Sequence, residues 1–167
     1  MEGIIESRGY AAKMSVAFRR ESDEEHKEPK FELPLPAGPN LVTARGLALT
    51  EARVAELEAA VAAESEDEAR EVLKRELRYW NTRRTTAVIA PAPEEGVAGI
   101  GSRVHIRLAG KERVIDIVGH DEADPAADRI AFSAPLAHAL LGGWVGERVD
   151  FGGKAEAIEI LGVDAIP

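Results

Sequence analysis

Residues 43–80 read TARGLALTEARVAELEAAVAAESEDEAREVLKRELRYW. Thr43 has the hydroxyl and the position of a helix N-cap. Leu47, Thr50, Val54, Leu57 and Val61 follow at spacings of three and four, which draws one apolar stripe along a helix. The stripe stops at Glu64. Ser65-Glu66-Asp67-Glu68 then has the form of a capping box, with Ser65 as cap and Glu68 reaching back. A second stripe runs through Ala69, Leu73, Leu77 and Trp80. Two stripes joined by a short polar turn bury their apolar faces most simply as an antiparallel hairpin. The spacing therefore predicts a helical hairpin, a short coiled coil, over residues 44–88. Each helix has roughly 20 residues and a length of about 30 Å.

Outward from the hairpin the character of the chain changes on both sides. Upstream, residues 22–28 are mostly charged, and Pro29, Pro34, Pro36 and Pro39 follow. Such a stretch cannot continue a helix and buries little, so residues 1–43 read as an extended or disordered tail. Phe31, Leu33 and Leu35 alternate in the manner of an edge strand. Met14 reads as an alternative translation start. Downstream, Pro91, Pro93 and Gly96 mark residues 89–98 as a linker, and beyond it the period falls to two. Val104, Ile106 and Leu108 alternate with His105 and Arg107, as in a half-buried strand. Ala109-Gly110-Lys111 is a turn, residues 114–118 form a second strand, and residues 130–133 a short third. Pro135 can open a helix that carries Leu136, Ala139, Leu140 and Leu141 and stops at Gly142-Gly143. Residues 145–151 and 157–163 complete a small antiparallel sheet. The chain is thus expected to be α+β: a helical hairpin, then a small β domain with one short helix over residues 99–167.

The composition limits what such a protein does. Net charge is −9 over 167 residues, so the whole molecule is not drawn to bare DNA or an anionic membrane, and nucleic acid would have to meet a local basic face. No cysteine is present, which excludes disulfides, thiol catalysis and cysteine-ligated zinc. No apolar run approaches the roughly 18 residues of a membrane span, and no signal-peptide core is visible, so the cytoplasm is the expected compartment.

The second half resembles a known family. Gly101-Ser102-Arg103-Val104, then Ile117-Val118-Gly119-His120-Asp121-Glu122-Ala123-Asp124-Pro125, then residues 130–142 with Ser133-Ala134-Pro135, then Val145-Gly146-Glu147 occur in the order of the GreA/GreB elongation-factor C-terminal domain. Thr43-Ala44-Arg45-Gly46-Leu47 is similar to the start of that family's coiled coil. The resemblance implies an FKBP-like domain that docks at the rim of the secondary channel of bacterial RNA polymerase, with the coiled coil pointing inward. In cleavage-active members, acids at the coil tip help hold a second magnesium at the polymerase active centre, where two metals clamp the attacking and leaving oxygens. The resemblance also implies that residues Ser133, Ala134, Pro135 and Leu136 meet the polymerase. It gives the chain no cofactor of its own, only a share in that magnesium.

Two departures bear on activity. The family's acidic D-L-x-E-N tip is absent, and only Glu64, Glu66, Asp67 and Glu68 offer carboxylates at the turn, where acids also complement the helix dipole. The arm is about half the length of a cleavage-active one, so its tip would stop about 20 Å short of the metals. The expectation is a channel-binding regulator that is not itself an enzyme.

Arg70, Lys74, Arg75 and Arg78, with Arg83 and Arg84, read either as a basic face for an RNA 3′ end or acidic polymerase surface, or as a solvated face paired with Glu71 and Glu76. Tyr79 could stack on bases, whereas Trp80 falls on the apolar stripe and suits packing at the junction of arm and domain. Asp121, Glu122 and Asp124 read as a charged turn rather than a cation site, and His26, His105, His120 and His138 as surface histidines without metal spacing. Two other functions compete. A prolyl isomerase or chaperone would need an aromatic-lined pocket from Phe132, Trp144 and Phe151, and a coiled-coil adaptor would use the hairpin alone.

Overall fold

The computed structural model describes residues 32–166. Met14, His26 and Phe31 lie outside them. The hairpin is present as two helices of 20 residues, α1 (Ala44–Ala63) and α2 (Asp67–Thr86). Thr43 is the N-cap of α1, and its Oγ1 accepts from the Gly46 N–H at 2.9 Å. Gly46, Thr50, Val54 and Leu57 are buried, so the expected stripe is the face that α1 turns inward. Thr50 fits that face because its hydroxyl donates to the Gly46 carbonyl at 2.9 Å. Arg53 ties the two helices across solvent, donating to Glu76 at 2.6 Å.

The tip differs from the capping box. Glu66, not Ser65, is the N-cap of α2, and it makes no side-chain cap bond. The helix begins at Asp67, which leaves the Ser65 hydroxyl one residue out of register. The turn is held instead by the Glu64 carboxylate, which accepts from the Glu66 N–H at 2.9 Å. Arg70 adds to it, donating to the Glu64 carbonyl at 2.7 Å through Nη2.

The base of the hairpin carries a feature absent from the sequence reading. β1 (Leu41–Val42) pairs in parallel with β2 (Val88–Ile89), so the chain entering the arm is stitched to the chain leaving it. Asn40 strengthens this seam by donating through Nδ2 to the Arg83 carbonyl at 2.7 Å. Leu33 and Leu35 form no edge strand; they are 43% and 51% exposed. Prolines at 34 and 36 remove the N–H groups that a ladder would need.

The head is a five-stranded sheet in the order β5-β4-β3-β7-β6, built from β3 (Ser102–Leu108), β4 (Lys111–Val118), β5 (Arg129–Ala131), β6 (Arg148–Phe151) and β7 (Lys154–Ala165). Its pairs are antiparallel except β4 with β5, which run parallel. The sheet is therefore mixed, not wholly antiparallel. Two 3₁₀ turns, His120–Glu122 and Pro125–Ala127, carry the chain back from the end of β4 so that β5 starts in the same direction. Val104, Ile106, Ile115, Ile117, Ile158 and Ile160 point to one face and are wholly buried under α3 (Pro135–Leu140), which contributes Ala137 and Leu140. Each such side chain contributes on the order of 1.5–3 kcal/mol by leaving water. Pro135 opens α3 at its first position, as expected, and Gly142 ends it with φ of 81°. The opposite face of the sheet is laced with ion pairs such as Arg107 with Glu112 and Glu159, both at 2.8 Å. Among the described residues no helix is long and apolar enough to cross a membrane.

Candidate functional site

The turn over residues 119–122 leaves the head's sheet and lies against the base of the arm. Its approach is close enough to require glycine: a Cβ on Gly119 would stand 2.8 Å from the Leu41 carbonyl oxygen. Glu122 follows, with a side chain only 2% exposed. Its Oε2 accepts from the Thr43 hydroxyl at 2.6 Å, while Arg45 approaches Oε1 at 3.4 Å. The cap of α1 is thus also its link to the head. Asp121 serves the other helix. Its Oδ1 accepts from the Tyr79 hydroxyl at 2.6 Å and its Oδ2 from Arg83 Nε at 2.5 Å. Burial, and then the bond to Asp121, push the Tyr79 phenol up to about 12.

These contacts revise two expectations. The charged turn of Asp121 and Glu122 is more than a connection between strands, because it forms the joint between arm and head, and Asp124 pairs with Arg129 at 3.3 Å. Arg83 does not belong to an exposed basic face, since its side chain is 4% exposed. Tyr79 reaches the junction, and Trp80 packs edge-on against it at 5.4 Å. Among the described residues no group of His, Asp or Glu could hold a metal ion.

The loop singled out as a docking site rests on the same turn. Ser133 and Pro135 are exposed, while Ala134 and Leu136 are half-buried against the head's core. Ser133 Oγ lies 3.4 Å from His120 Nδ1, and the His120 ring meets Phe132 edge-on at 4.9 Å. His120 is therefore not a plain surface histidine: its Nε2 is buried without a hydrogen-bond partner among the described residues. The three residues of one 3₁₀ turn each hold something different. His120 meets the loop, Asp121 meets α2 and Glu122 meets α1.

At the other end of the arm, two of the four tip carboxylates are engaged. Glu64 holds the turn, and Asp67 pairs with Arg70 at 2.7 Å. Glu66 and Glu68 are exposed. Along α2, Lys74 pairs with Glu71 at 2.8 Å and Arg78 with Glu32 at 2.7 Å, so much of the expected basic face is internally neutralised. Arg75 is half-buried on that helix, and its charge helps hold the Glu32 carboxyl below its ordinary range, after the larger effect of Arg78.

A two-helix arm is thus seated by its base on a small mixed-sheet head. Residues 92–165 match the family described as transcription elongation factor, GreA/GreB, C-terminal. Over these residues the chain is similar to that family. Transcription elongation factor GreA of Agrobacterium fabrum is 44% identical over 55 residues, which is 32% of this chain and 35% of that protein. GreA of Rhizobium etli matches to the same extent. The match thus spans about a third of the length of these relatives. Among solved structures, GreA factor homolog 1 of Thermus thermophilus overlaps 77% of this chain and 100% of its own, at 19% identity and a TM-score of 0.36. A GreA/GreB elongation factor from Nitrosomonas europaea overlaps 76% and 98%, at 21% identity and a TM-score of 0.37.

Proposed function

We propose that this protein is a regulator of transcription elongation that binds bacterial RNA polymerase in the cytoplasm, docks by residues 133–136 at the secondary-channel rim, and points its arm inward. The observation that carries this reading is the family match of the head over residues 92–165, joined to a helical hairpin at the place where the family has its coiled coil. The head supplies a Pro-fixed loop with two exposed residues, and the joint at residues 120–122 supplies a firm base for the arm.

The protein is not proposed as a nuclease, nor as an enzyme of any kind. Twenty residues per helix give an arm of about 30 Å, about half the reach of a cleavage-active arm, and metal–ligand bonds of about 2 Å allow no gap. One of the four tip carboxylates, Glu64, is also committed to the turn. An arm that occupies the channel without touching the metals would compete with longer-armed factors. The paired cations of α2 favour a solvated face over a dedicated RNA site. A prolyl isomerase is not favoured, because Trp144 is 58% exposed and Phe132 packs on His120 rather than lining a pocket. Retention on immobilised polymerase, reduced by substitution at Pro135, tests the docking; no retention of the intact protein would refute it.

A further inference from the structure

We propose that Asp121 and Glu122 are a pair of positioning residues that set the direction of the arm relative to the docking loop. The geometry stands by itself, and only its consequence on polymerase rests on the function proposed above. The arm needs no side-chain contact to stay attached, since the chain joins it to the head by peptide bonds and the β1–β2 seam closes its base. Contacts beyond that also choose an orientation. They are placed as an orienting device requires. Glu122 holds α1 through Thr43, and Asp121 holds α2 through Tyr79 and Arg83. One point of contact would leave a rotation free, whereas a separate point on each helix removes it. Both points belong to one turn, whose third member, His120, lies against Ser133 and Phe132. The arm's direction is therefore referenced to the loop that would meet a partner.

Neither carboxylate is part of the head's apolar core, and the hairpin has its own buried stripe. Removing the pair should free the arm while leaving both parts folded. The chain has no cysteine, so two labels can be placed without competing sites. Nitroxides at Ser65→Cys on the tip and Lys154→Cys at the exposed start of β7 report the arm's direction as a distance distribution by pulsed dipolar spectroscopy on the free, full-length protein. The unaltered chain should give one narrow distribution. Asp121→Ala with Glu122→Ala should broaden it and move its maximum, and Thr43→Val with Tyr79→Phe, which keeps both carboxylates, should do so to a lesser degree. If the carboxylate variant does not fold, the second variant decides. An unchanged narrow distribution in the folded variants overturns the proposal. On polymerase, the freed-arm variants should still be retained through residues 133–136 yet lose competition with longer-armed factors. Failure of the unaltered protein to bind polymerase would sink the proposed function and leave the dipolar result standing.

Discussion

Glu122 occupies the space that a side chain at residue 46 would need: its Oε2 lies 2.7 Å from where a Cβ on Gly46 would stand. The glycine serves close approach, not backbone freedom, because it sits within the first turn of α1. In an ordinary helix, glycine is about 1 kcal/mol worse than alanine. Here Gly46→Ala should reverse that sign and destabilise by about 1–2 kcal/mol, since it displaces a buried carboxylate from the Thr43 hydroxyl. In a Glu122→Ala background the same change should become neutral or stabilising. Urea denaturation of the four proteins in the cycle checks both statements.

Asp121→Ala should be more damaging than its neighbour's loss. It strands Arg83, whose side chain is 4% exposed, without its partner. Removing one member of such a pair costs about 3–5 kcal/mol, whereas replacing both with apolar residues of similar volume is often close to neutral. Asp121→Leu with Arg83→Met should therefore be more stable than Asp121→Ala alone. Denaturation midpoints give the order directly.

Tyr79 confers a dependence on alkaline pH. Its phenol rises from an ordinary 10.0 to about 12 in the folded protein, first through burial and then through the Asp121 bond. A folded value above the unfolded one means that the stabilising contribution is complete below pH 10 and is lost as pH rises through about 12. Tyrosinate absorbance should show a late titration that Tyr79→Phe abolishes, and the variant's stability should vary less than the parent's over that window.

At the proposed dock, Pro135→Ala should leave the head folded, since α3 keeps Ala137 and Leu140 in the core. Affinity for polymerase should fall about tenfold, the effect of an interface residue worth somewhat more than 1 kcal/mol. Equilibrium binding with labelled protein measures it, with a melting curve as the control for folding.

Local patterns were legible where local physics decides. Thr43 as cap, the stripe through Thr50, Val54 and Leu57, and Pro135 at the head of α3 all follow from spacings of a few residues. The second cap differs for a related reason: Ser65 to Glu68 has the pattern of a capping box, yet Glu64 and Arg70 hold the turn and the helix starts one residue later. The β1–β2 seam leaves no mark in the sequence because two residues show no period. Its parallel register, like that of β4 with β5, depends on how intervening elements bring the chain back. Least legible was the joint. Thr43 and Glu122 are 79 residues apart, as are Tyr79 and Asp121 by 42, and charged residues at such separations look like solvated surface until the fold buries them together. The spacing of Tyr79 and Arg83, one turn apart on the same side of α2, was the available hint.

The most direct test of the whole account is an RNA-cleavage assay on backtracked polymerase complexes, run with this protein alone and in competition with a cleavage-active Gre factor. The account predicts no shortening of the transcript by this protein alone and a dose-dependent loss of the competitor's cleavage. Shortened transcripts from this protein alone would contradict the short-arm argument, and an unaffected competitor at saturating dose would contradict binding in the channel.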